Sequence, residues 1–95
     1  MPNRVIAPLT RVPSRRLDVR IRRFRGAVMV ATASHAFELH DAAAFLLMSV
    51  DGSRTVAELA SRLATEYNLS PAEAEADTLE LLDQMIEHEL LTMVP

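Results

Sequence analysis

The chain has 95 residues, 49% of them hydrophobic, which is enough for one packed domain and too few for a second. Cysteine is absent, which excludes disulfides, thiolate metal sites and a cysteine nucleophile, and no stretch approaches the roughly 18 apolar residues of a membrane span or the apolar core of a signal peptide. The net charge of −3 conceals an asymmetry: residues 1–34 hold eight arginines against the single acid Asp18, whereas residues 35–95 hold two arginines against twelve acids. Lysine is absent. The two halves either neutralise each other across the fold or sort partners by the sign of their charge. A cytoplasmic protein is expected.

Residues 1–14 contain Pro2, Pro8 and Pro13 and follow neither helical nor strand periodicity, so they read as a flexible N-terminal arm ahead of a domain at 15–95. From Leu17 an alternation begins, with Leu17, Val19 and Ile21 on one side and Asp18, Arg20 and Arg22 on the other, the pattern of a half-buried strand. Arg25-Gly26 supplies a turn into a second strand, Ala27 to Ala31, and the two form a hairpin. After Thr32-Ala33-Ser34 a third strand runs from His35 to Leu39, with Phe37 and Leu39 facing together.

Helical signals follow. Asp41 is placed to cap a helix over Ala42 to Val50, which stops at Asp51-Gly52. Thr55-Val56-Ala57-Glu58 has the form of a capping box, and the helix it opens carries Val56, Leu59, Ala60, Leu63 and Tyr67 on one stripe. Ser70-Pro71-Ala72-Glu73 is a second capping box with proline at the first helical position, launching the longest helix to about His88. Leu90 to Val94 packs as a short extension. Three strands followed by three helices make an α+β domain built on a small antiparallel sheet.

The long helix is apolar on more than one side. One row holds Ala74, Thr78, Leu81 and Met85, and another holds Glu75, Leu79, Leu82 and Ile86. One side meets the core; the other either wedges between sheet and helices or borders a groove. An edge strand beside such a helix offers unpaired N–H and C=O groups to which an extended peptide can add as a further strand, and the third strand is the candidate edge.

The run from Leu39 through Asp41, Phe45, Asp51-Gly52, Thr55-Val56-Ala57-Glu58-Leu59 to Ala60 resembles the PqqD family. The similarity continues through Leu63, Glu66-Tyr67, Ser70, Glu73, Asp77, Leu81-Leu82, Met85 and Glu89-Leu90-Leu91, and covers roughly residues 17–94. Family members resemble a winged helix-turn-helix and are known as RiPP recognition elements, RiPP denoting a ribosomally made, post-translationally modified peptide. The resemblance implies capture of a precursor's leader segment between the third strand and the third helix. Carried onto this chain, it puts His35, Ala36, Phe37, Glu38 and Leu39 on the ladder side and Asp77, Leu81, Gln84, Met85 and His88 along the groove. It implies no catalysis and no cofactor. The partners it implies are a leader peptide and a processing enzyme, whether peptidase, cyclase or radical SAM enzyme. Free-standing members resemble either the peptide chaperone of pyrroloquinoline quinone biosynthesis or the recognition protein of lasso-peptide systems; the Arg-rich segment and the Asp-Gly-Ser-Arg-Thr-Val-Ala-Glu run lean toward the lasso type. Members commonly have glycine where this chain has Glu89.

A DNA-binding winged helix is the main rival, because the second and third helices meet across Tyr67 to Pro71 as in a helix-turn-helix. The would-be recognition helix, however, carries Glu73, Glu75, Asp77, Glu80, Asp83 and Glu87 and no arginine, which opposes duplex phosphates. An enzyme has less support: His35, His40 and His88 match no metal-binding spacing, Ser34-His35 with Asp41 is no triad signature, and Gly26 and Gly52 build no phosphate loop. A monomer is expected, with a homodimer through the exposed edge as the alternative.

Overall fold

The computed structural model describes residues 9–94. Its elements run β1 (Pro13–Arg15), β2 (Arg20–Phe24), β3 (Ala27–Ala31), β4 (Ala36–Leu39), α1 (Asp41–Ser49), α2 (Val56–Tyr67), α3 (Pro71–Glu87) and β5 (Leu91–Met93).

Arg25 and Gly26 join β2 to β3 with φ of 52° and 81°. A two-residue turn with both φ values positive matches the right-handed twist of the strands, and Gly26 takes its conformation without a Cβ to clash. β3 pairs antiparallel with β4 on its other side, so the sheet order is β2-β3-β4. Side chains alternate between faces. Ile21, Val30 and Phe37 therefore form one row across the inner face, while Arg22, Met29 and Glu38 form a row on the outer face. Val30 is 1% exposed and Met29 is 38% exposed, as that alternation requires.

Both capping boxes form. Thr55 Oγ1 accepts from the Glu58 N–H while the Glu58 carboxylate accepts from the Thr55 N–H, and Ser70 and Glu73 repeat the arrangement at the start of α3. Between α1 and α2, Asp51 Oδ1 accepts from the backbone N–H groups of Ser53 and Arg54 at 2.9 and 2.8 Å, which holds its carboxyl below the usual carboxylate range. The core gathers Val28 and Val30 from the sheet with Leu46 and Leu47 of α1, Val56, Leu59 and Leu63 of α2, Leu82 and Met85 of α3, and Leu90 and Leu91.

Several boundaries differ from the sequence reading. The N-cap of α1 is His40, not Asp41; its side chain makes no cap hydrogen bond, and Asp41 itself enters the helix at φ 50°, a left-handed value aspartate tolerates. The first strand of the main sheet begins at Arg20 and not at Leu17, because the Val19 N–H bonds back to the Arg16 carbonyl and turns the chain, leaving Leu17 fully exposed. The expected arm lies outside the described residues at positions 1–8, but 9–14 are tied down. β1 pairs antiparallel with β5, Pro13 is fully buried, and the carbonyls of Leu9 and Arg11 accept from the Ala57 and Val56 N–H groups. Those N–H groups belong to the first turn of α2, where no helical partner exists, so the N-terminal segment helps cap that helix. The predicted extension after α3 is β5, the other half of this small sheet.

The edge of β4 and the flank of α3

Among the described residues, β4 has a neighbouring strand on one side only. The hairpin from β3 closes with the Thr32 N–H donating to the His35 carbonyl at 2.8 Å, and Thr32 Oγ1 accepts from the Ser34 and His35 N–H groups. In an antiparallel ladder, bonded and non-bonded pairs alternate. With Thr32 and His35 as a bonded pair, Phe37 and Leu39 direct their backbone groups at Val30 and Val28, and Ala36 and Glu38 direct theirs away from the sheet. Two N–H groups and two carbonyls on β4 thus form an open ladder.

The C-terminal end of α3 stands beside this strand. The rings of Phe37 and His88 lie 4.8 Å apart, and Phe37 also stacks on His35 at 5.9 Å. His88 is the C-cap of α3, and Gln84, Leu81 and Asp77 precede it at four-, seven- and eleven-residue spacing, which draws one stripe along the helix. Asp77, Gln84 and His88 are exposed and Leu81 is half-buried. The contact of Phe37 with His88 brings this stripe alongside β4. Met85 departs from it: at 4% exposure it belongs to the core. Of the residues expected on the ladder side, Phe37 and Leu39 are half-buried, His35, Ala36 and Glu38 are exposed, and His35 precedes the strand.

His40 lies 3.2 Å from the Glu38 carboxylate, so all three histidines of the chain surround β4. Among the described residues, no three histidine or acidic side chains converge as a metal site. Sequence reasoning found the strand and the helix but not the ring contact that joins them. Its only trace was an aromatic residue on the inward phase of the strand and a histidine at the helix end.

A model of the family described as coenzyme PQQ synthesis protein D (PqqD) matches residues 26–91. A PqqA binding protein of Xanthomonas euvesicatoria pv. vesicatoria is 34% identical over 83 residues, covering 85% of this chain and 90% of its own, and one of Xanthomonas axonopodis pv. citri is 32% identical over the same shares. The solution NMR structure of the PqqD truncation of Methylobacterium extorquens PqqCD, a functional stand-alone RiPP recognition element, matches with a TM-score of 0.71 at 32% identity, covering 85% of this chain and 88% of that one.

Proposed function

The chain belongs to the PqqD family, and on that premise we propose that it is a non-catalytic recognition element that captures the leader segment of a precursor peptide as an added strand between β4 and α3. The observation that carries this reading is the outward-facing backbone of Ala36 and Glu38 beside the stripe from Asp77 to His88. The backbone ladder supplies affinity that is largely independent of leader sequence, while Phe37, Leu81 and His88 supply side-chain selectivity. By holding the leader, the domain raises the effective concentration of the attached core peptide near a processing enzyme. It acts as a monomer in the cytoplasm.

The relatives' names favour a PqqA-type leader. The lasso-type leader is the second reading, favoured by the Arg-rich arm and the Asp51 to Glu58 run, and the choice rests on which peptide binds. Isotope-labelled protein titrated with PqqA, with the precursor encoded beside its gene and with duplex DNA separates these readings. One peptide is expected to shift residues 35–39 and 77–88, with no response to the duplex, since α3 is acidic throughout. Silence toward both peptides, together with DNA-dependent shifts confined to the arginines of β2, would favour a nucleic-acid binder instead.

A further inference from the structure

The peptide groove makes no use of the charge asymmetry of the sequence, and the fold sorts that asymmetry onto two sides. Residues 15–25 hold six arginines against the single acid Asp18, and all six are exposed. The strand register puts Arg20, Arg22 and Phe24 of β2 with Met29 of β3 and Glu38 of β4 on the outer face of the main sheet. Leu17, fully exposed, lines a cleft with Arg20 and Ala31 at one end of that face. Phe24, 59% exposed, stands at the other end, where the Arg25 guanidinium lies 5.4 Å from its ring centre. α3, with six acids, lies on the opposite side of the sheet, where Phe37 of the inner row meets His88.

We propose that this outer face attaches the protein reversibly to an anionic phospholipid surface, with Leu17 and Phe24 entering the headgroup layer and the arginines binding lipid phosphates. Basic and bulky apolar side chains exposed together are the composition of an interfacial attachment site. A guanidinium meets phosphate oxygens two at a time, and each arginine near an anionic leaflet adds to the attraction. The acids on the far side contribute as well, because the separated charges turn the basic face toward a negative surface and α3 away from it. Size argues against a protein partner. Three strands about 4.8 Å apart and five residues of about 3.4 Å each present a face of roughly 250 Å², well short of the ~800 Å² per partner of a stable interface. A fluid lipid surface requires no matching shape, so two apolar anchors at opposite ends of the sheet with arginines around them suffice. Nucleic acid fits less well, because the Arg25 guanidinium covers a face of Phe24 that a base would need for stacking, and Glu38 puts a carboxylate in the same row as Arg22. Among the described residues, no helix is long and apolar enough to cross a membrane, so the attachment is peripheral. With the sheet lying flat, the open edge of β4 stays at the side of the contact and accessible to a peptide.

The test uses the full chain with vesicles of phosphatidylcholine, with and without phosphatidylglycerol. The chain has no tryptophan, so Phe24→Trp on the outer face and Thr65→Trp on the exposed side of α2 are single fluorescent reporters. Sedimentation with the phosphatidylglycerol vesicles alone is expected, weakened by added salt, with a blue shift of emission for Phe24→Trp and none for Thr65→Trp. Arg20→Glu with Arg22→Glu, and Leu17→Ser with Phe24→Ser, should each lower partitioning about tenfold or more while leaving the thermal midpoint unchanged. The proposal is overturned if the protein ignores phosphatidylglycerol, if it binds both vesicles equally, if folded variants partition like wild type, or if both tryptophans shift. Displacement from the vesicles by single-stranded oligothymidine at equal phosphate concentration would also overturn it, in favour of a nucleic-acid surface.

Discussion

Glu89, at φ 64°, makes the left-handed turn that ends α3. Its N–H bonds to the Ile86 carbonyl and the Leu90 N–H to the Met85 carbonyl at 2.8 Å, the paired bonds of a Schellman motif. Glycine is the residue that motif prefers, and the similarity to the PqqD family leads one to expect it there; a glutamate bears the Cβ penalty instead. Glu89→Gly is therefore expected to stabilise the protein by about 0.5–1 kcal/mol, the left-handed cost less the extra chain entropy of glycine, read as a higher midpoint in thermal or urea unfolding. An unchanged or lower midpoint would mean that the turn holds no strain. At this scale the capping residues Thr55, Glu58, Ser70 and Glu73 were legible because each cap is closed within four residues. Asp41 misled because capping chemistry is common to many aspartates, and the turn geometry that gave the cap position to His40 is not written in residue type.

Among elements, β4 carries the proposed strand addition, and it makes a sharp prediction. Glu38 directs its N–H away from β3, so Glu38→Pro removes no ladder bond and should leave the thermal midpoint nearly unchanged, as edge prolines do. It should nevertheless lower leader affinity about tenfold or more by removing a donor and blocking the added strand. Phe37→Pro, one residue away, breaks the pairing with Val30 and should cost about 3 kcal/mol or more of stability. Circular dichroism melts with peptide anisotropy titrations check both. If Glu38→Pro bound the leader normally, the strand-addition mode would be wrong. The strand, its phase and its position at an edge were all legible from alternation and chain order; its apposition to the end of α3 was not.

Over the whole molecule, β1 and β5 clasp the two ends of the domain, and the segment before β1 caps α2. Deleting residues 1–14, which the sequence reading treats as a dispensable arm, is accordingly expected to lower stability by about 2 kcal/mol, or about 10 °C in the midpoint for a domain of this size. Leader binding by the folded fraction should persist, because β4 and its pairing with β3 lie outside the deleted segment. An unchanged midpoint would restore the arm as a mere appendage. The clasp escaped notice because three-residue strands, one of them containing Pro13, show no period, and their stability comes from each other across nearly the full length of the chain. By itself the sequence determined the three-stranded sheet, the three helices, the caps of α2 and α3 and the likeness to peptide-binding relatives, since alternation, capping boxes and turn residues act over a few positions. Only the tertiary structure decided that β1 and β5 close the domain, that Met85 belongs to the core while Leu81 and His88 border the strand, and that the arginines of β2 are exposed. Those outcomes depend on which distant surfaces pack together, a competition among whole faces that no local spacing records.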